Sequence, residues 1–168
     1  LRPDRGGWGA AAGGITALAR PTGRLPVSVP PSVAQLPVYY THKDTVYVRY
    51  VDESAEPRFS FGHGLSYTTF AYGEPHLEGR TVTVDVTNTG DRPGRSVVQV
   101  YLRRLIAASW PRTLELCAFQ GVDLAPGERR TVRLAVETGE STGTVEIRVA
   151  ESARAALDAV PLVLDLRA

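Results

Sequence analysis

The stretch TVTVDVTNTGDRPGRSVVQVYLRR, residues 81–104, sets the period on which most of the chain is written. Val82, Val84 and Val86 alternate with Thr83, Asp85 and Thr87. After a turn at Asn88-Thr89-Gly90-Asp91, Val98, Val100 and Leu102 alternate with Gln99, Tyr101 and Arg103. Successive side chains of a strand point to opposite faces, so each run predicts a strand with one buried face. Asn, Gly and Asp favour the turn between them because they tolerate backbone angles that other residues avoid.

Outward from this pair the alternation returns at Val132, Leu134 and Val136, at Val145, Ile147 and Val149, and at Leu162, Leu164 and Leu166. Turn chemistry separates these runs at Pro126-Gly127 and across residues 139–143. Residues 68–72 and 114–119 bring the count to about seven short strands with no helical period between them. The spacing predicts a mainly β chain: an immunoglobulin/fibronectin type III-like β-sandwich over residues 66–168. The Cys…Trp…Cys pattern of antibody domains is absent.

Ahead of the sandwich the pattern changes. Residues 10–19 are Ala-rich and predict a short helix, weakened by Gly13 and Gly14 and stopped by Pro21. Residues 24–30, GRLPVSVP with its preceding glycine, read as extended because a residue before proline is pushed out of the helical region. Residues 31–65 read as a long irregular strap that carries Tyr39, Tyr40, Tyr47 and Tyr50; so many aromatics argue against disorder. The tyrosines can stack on sugar rings or anchor the strap to the sandwich, and anchoring is the preferred reading.

The totals exclude several classes. A chain of 168 residues with net charge +1 and interspersed acids and bases has no basic stripe for nucleic acid. Gly and Pro interrupt every apolar run before the length of a membrane span, which predicts a soluble chain without a membrane partner. Nothing distinguishes a cytoplasmic from a secreted location. Cys117, the single cysteine, precludes an internal disulfide and reads as a small packed hydrophobe. His42, His63 and His76 are far apart and no acids stand at ligand spacing around them, so neither a metal nor another cofactor is expected. The chain begins at Leu1 and contains no methionine, which reads as a fragment or processed product.

The strap ends in FSFGHGLSYTTF, residues 59–70, where aromatic residues flank Gly62 and Gly64. Two glycines one residue apart permit unusual backbone angles and the close approach of another segment. Four stretches in order, PTGRLPVSVP (21–30), PVYYTHK (37–43), FSFGHGLSYTTF and VTNTGDRPGRSVVQVY (86–101), resemble the C-terminal part of glycoside hydrolase family 3, the β-glucosidases and β-xylosidases. LAPGERRT (124–131) continues the likeness. The chain departs from the family pattern in SWPRTLELCAF (109–119), which bears on the register of that strand.

The resemblance implies three parts: residues 1–30 as the tail of a preceding α/β/α domain, residues 31–65 as linker, and residues 66–168 as a fibronectin type III-like domain. It implies a structural role in an enzyme that hydrolyses terminal β-D-glucosyl or β-D-xylosyl residues with retention. Its partners would be the preceding catalytic domains, and carbohydrate would be met only through them. Neither catalytic carboxylate motif of the family matches a position here. Asp44, Asp52, Glu53 and Glu56 are the remaining acids of the strap, and none is placed by the sequence as an opposed pair.

His42, Lys43 and His63 are the candidate substrate-proximal residues; local hydrogen bonding or packing is the alternative for each. Arg24, Phe61, Gly62, Gly64 and Tyr67 are the candidate structural-interface residues, Arg24 because a fixed guanidinium pairs well across an interface. Two other readings of the whole chain are a stand-alone carbohydrate-binding or adhesion module, and an enzyme in its own right using Glu53 or Glu56.

Overall fold

The computed structural model describes residues 21–41, 56–105, 112–139 and 143–167. Eight strands are named among them: β1 (Phe70–Tyr72), β2 (His76–Glu78), β3 (Thr81–Asn88), β4 (Gly94–Arg104), β5 (Glu115–Leu124), β6 (Arg129–Ala135), β7 (Thr144–Ala150) and β8 (Leu162–Asp165). One α-helix, α1 (Ala153–Asp158), lies between β7 and β8. The helix expected over residues 10–19 falls outside the described residues.

The strands form two antiparallel four-stranded sheets. In the first, β3 is flanked by β6 on one side, while β1 and β2 share its other side. β1 and β2 are halves of one edge strand. Phe70 opposes Asn88 and His76 opposes Thr83, so the register slips by one residue across Gly73, Glu74 and Pro75. Proline is tolerated there because an edge strand can spare a ladder donor. The second sheet runs β5-β4-β7-β8.

The valine runs do what their period requires. Val82, Val84 and Val86 of β3 and Val132 and Leu134 of β6 meet Val98, Val100 and Leu102 of β4, Val122 and Leu124 of β5, and Val145 and Ile147 of β7 between the sheets. Each such side chain contributes about 1.5–3 kcal/mol by leaving water. At the turn after β3, the buried Asn88 side chain accepts from the Thr68 hydroxyl (2.6 Å) and the Gly90 N–H (3.1 Å). Its amide donates to the carbonyls of Arg92 (2.7 Å) and Leu124 (3.2 Å). One side chain thereby satisfies the corner and ties the segment before β1 to it.

Three expectations need correction. The strand expected at residues 114–119 runs from Glu115 to Leu124 and contains a bulge: Val100 opposes Ala118 and Tyr101 opposes Leu116, so Cys117 is the extra residue. Two residues against one break the two-residue period there, in the segment that departs from the family pattern. Second, a helix does interrupt the strands. Ser152 caps α1 by accepting from the Ala155 N–H (3.2 Å), and the Arg148 guanidinium donates to the carbonyls of Ala156, Leu157 and Ala159 at its other end. Third, β4 is buried on both faces, since Gln99 and Tyr101 on its outer side are as enclosed as the valines on its inner side.

Candidate functional site

The outer face of the second sheet explains that double burial. Residues 25–29 and 59–63 lie antiparallel: the Leu25 N–H donates to the His63 carbonyl (2.9 Å), the Gly62 N–H to the Leu25 carbonyl (2.8 Å), and Val29 and Phe59 exchange both bonds. The Phe61 N–H adds a bond to the Ser28 hydroxyl (3.1 Å). The ribbon is fixed to α1 through the Ala153 N–H, which donates to the Phe61 carbonyl (2.9 Å).

Beneath the ribbon sits a second apolar cluster of Tyr101, Leu114, Ala150, Ala153 and Ala156, with Tyr40, Phe61 and Leu116 packed against it. Tyr40 and Phe61 stack with centroids 3.9 Å apart and planes 13° apart. The Tyr40 hydroxyl accepts from the Leu116 N–H at 3.4 Å. Tyr40 therefore anchors the strap. Tyr39 is exposed, and Tyr47 and Tyr50 fall outside the described residues.

Polar groups lock the corner. The Tyr101 hydroxyl donates to the Gln99 side-chain oxygen Oε1 (2.6 Å), and the Gln99 side-chain amide donates to the backbone carbonyls of Gly62 (3.2 Å) and Glu151 (2.6 Å). Burial pushes the Tyr101 hydroxyl well above the ordinary tyrosine range, so it stays a neutral donor.

Both glycines are required here. Gly62 has φ +78°, and a Cβ there would sit 2.2 Å from Gln99 Oε1. A Cβ on Gly64 would lie 2.8 Å from Arg24 Cδ and 2.9 Å from the Gly23 carbonyl oxygen. That approach lets the Arg24 guanidinium donate to the Gly64 carbonyl.

Of the residues singled out from sequence, Arg24, Phe61, Gly62 and Gly64 are thus brought together at one corner. Tyr67 lies just beyond it, half exposed. His63 joins the ribbon through its backbone, and its ring stacks on Phe59 at 5.2 Å. His42, Lys43, Asp44, Asp52 and Glu53 fall outside the described residues; Glu56 is exposed and lies 3.7 Å from Arg154. Among the described residues, no group of three or more His, Cys, Asp or Glu side chains is placed to hold a metal ion.

The model of the fibronectin type III-like domain matches residues 96–150. The periplasmic β-glucosidase of Salmonella typhimurium is 39% identical over 136 residues, covering 70% of this chain and 18% of that protein. A β-xylosidase of Formosa agariphila is 40% identical over 126 residues, covering 67% of this chain and 17% of its own length. Among solved structures, a β-glucosidase involved in saponin metabolism from intestinal bacteria superposes with a TM-score of 0.85 at 34% identity. The match covers 92% of this chain and 24% of that one. This chain belongs to glycoside hydrolase family 3, as its C-terminal fibronectin type III-like part. The Listeria innocua β-glucosidase in complex with gluconolactone agrees, with a TM-score of 0.78 at 27% identity over 92% of this chain.

The family 3 chain spans under a fifth of the length of these curated relatives. The matched stretch is in each case one part of a longer β-glucosidase or β-xylosidase, a likeness that does not favour a stand-alone carbohydrate-binding or adhesion module. Sequence reading missed the residues that seat the corner: Gln99 and Tyr101 look like solvent-face positions of an alternating strand. The one available signal was their type, since a tyrosine and a glutamine two apart can bond to each other and to a passing backbone.

Proposed function

We propose that this domain braces the catalytic parts of a β-glycosidase that removes terminal β-D-glucosyl or β-D-xylosyl residues with retention. Retention needs two carboxyl groups about 5 Å apart across the sugar. Those groups belong to the preceding domains, and carbohydrate reaches the enzyme through them. The chain divides into a tail of the α/β/α domain (1–30), a strap (31–65) and the sandwich (66–168). Arg24, Phe61, Gly62, Gly64 and Tyr67 form the brace, and His42, Lys43 and His63 border the sugar site from the strap.

The observation that carries this reading is the contrast at the corner: its inner side is locked to Gln99 and Tyr101, while Val27, Leu65 and Tyr67 beside it are 60, 78 and 46% exposed. Exposed apolar side chains beside a rigid support suit a standing contact with another domain. Two measurements test it. Aryl β-glucoside and β-xyloside should be turned over by the longer enzyme with retained anomeric configuration and not by this chain alone. Hydrogen exchange at residues 24–29 and 59–67 should be slower in the longer enzyme than in this chain. Turnover by the isolated chain, or equal exchange in both, overturns the proposal.

A further inference from the structure

A cleft of about 380 Å³ lies between the end of the strap and α1. Its size falls in the range of small-ligand sites. Phe59 forms an aromatic wall, 41% exposed and backed by the His63 ring, so its position is fixed while one surface stays open. Around it stand Arg58, Arg154, Glu56 and Asp158. Arg154 and Glu56 stand 3.7 Å apart, with more than half of each side chain exposed. Arg58 and Asp158 have no side-chain partner among the described residues.

The two guanidinium groups and two carboxylates cancel in charge, so the cleft selects neither anions nor cations. What they offer is a ring of strong donors and acceptors around an apolar surface. A neutral ligand with one C–H face and many hydroxyls satisfies both requirements, whereas a purely apolar ligand would strand the charges. We propose that this cleft is a carbohydrate subsite, in which a pyranose ring lies on Phe59 and its hydroxyls bond to Arg58, Arg154, Glu56 and Asp158. The proposal goes beyond the bracing role while sharing Phe59 and His63 with the bracing segment, and it rests on the side of Phe59 that faces the cleft staying open. It gives the domain a sugar contact of its own, where the family resemblance implies contact only through the catalytic parts.

The test uses this chain alone, so its failure leaves the measurements on the longer enzyme untouched. Backbone amide shifts of Ser60, His63 and Ala155 are followed while glucose, xylose, cellobiose or sorbitol is added. The cyclic sugars should move these amides with saturation at dissociation constants on the order of millimolar. Sorbitol, which has the hydroxyls without a ring face, should not. A tighter response to cellobiose than to glucose assigns the subsite to a chain end, and the reverse assigns it to a free monosaccharide. Phe59→Ala should weaken binding about tenfold through loss of the stacking face. Asp158→Asn, on an exposed side chain at the end of α1, provides a second variant and should also weaken it. Absence of saturable shifts, equal shifts with sorbitol, or unchanged binding in both variants overturns the proposal.

Discussion

The two outer faces of the sandwich are written alike and end differently. On the first sheet, Thr83, Asp85 and Thr87 of β3 face outward beside Arg133, Thr131 and Arg129 of β6, and this face stays polar and open to water. On the second sheet, Gln99 and Tyr101 occupy equivalent positions of β4 and are buried under a ribbon from residues 25–29 and 59–63. Alternation decides which side of a strand meets the partner sheet. Whether the other side is bare or covered is decided at glycines some 35 residues away along the chain: Gly62 lets the corner close on Gln99 of β4, and Gly64 lets Arg24 and Gly23 close on the corner.

The largest expected effect comes from removing the contact on the covered face. Tyr101→Ala leaves a cavity in the outer cluster and an unpaired Gln99 oxygen, and should cost about 3–5 kcal/mol in urea unfolding. Arg133→Ala, on the bare face, should stay within about 0.5 kcal/mol. A loss under 1 kcal/mol for Tyr101→Ala would mean the outer cluster is decoration on an independently stable sandwich.

Next in size is a glycine pair that separates backbone angle from crowding. Gly62 (φ +78°) and Gly79 (φ +56°) both occupy the left-handed region, but a Cβ on Gly79 meets nothing within 4 Å. Gly79→Ala should cost only the angular penalty of about 1 kcal/mol, and Gly62→Ala about 2–3 kcal/mol because Gln99 must also move. Hydrogen exchange should accelerate at Leu25 and Phe61 in Gly62→Ala while β3 remains protected. Equal losses for the two variants would remove crowding by Gln99 from the account.

How far the sequence reached follows the same division. Strands β3, β4, β6, β7 and β8 were legible because one side of each lies in the shared core and the valine period reports it. The β1–β2 edge was half legible, since Gly73-Glu74-Pro75 reads as a stop although the chain resumes the same edge after a one-residue slip. In β5 the bulge at Cys117 puts Cys117 and Ala118 both against the core, a pattern no strict alternation produces. Burial raises the Cys117 thiol to about 12, consistent with a packing role. The helix α1 left a readable signature, Ser152 before an Ala-rich turn and Pro161 after it, but six residues are too few to show a helical period. The seat of the corner was not legible, because the backbone carbonyls to which the Gln99 amide donates lie 37 and 52 residues away.

The smallest effect belongs to the bare face and is read through pH. Asp85 is held below the ordinary carboxylate range by hydrogen bonds from Arg129 and then Thr131, with His76 of the neighbouring β2 adding a weaker attraction. A carboxyl whose folded pKa is depressed stabilises the fold fully above its unfolded value of about 3.9. That contribution fades as pH falls below this value toward the folded one. The unfolding midpoints of the wild-type chain and Asp85→Asn should therefore differ slightly at pH 6 and converge between about pH 4 and 2. Solvent screens an exposed pair, so 0.5 M salt should shrink the gap at pH 6 as well. On the covered face Tyr101 is uncharged throughout this range, and the difference between Tyr101→Ala and wild type should not follow the same curve. A gap for Asp85→Asn that persists unchanged to pH 2 would mean that packing of the side chain, and not its charge, is what the bare face uses.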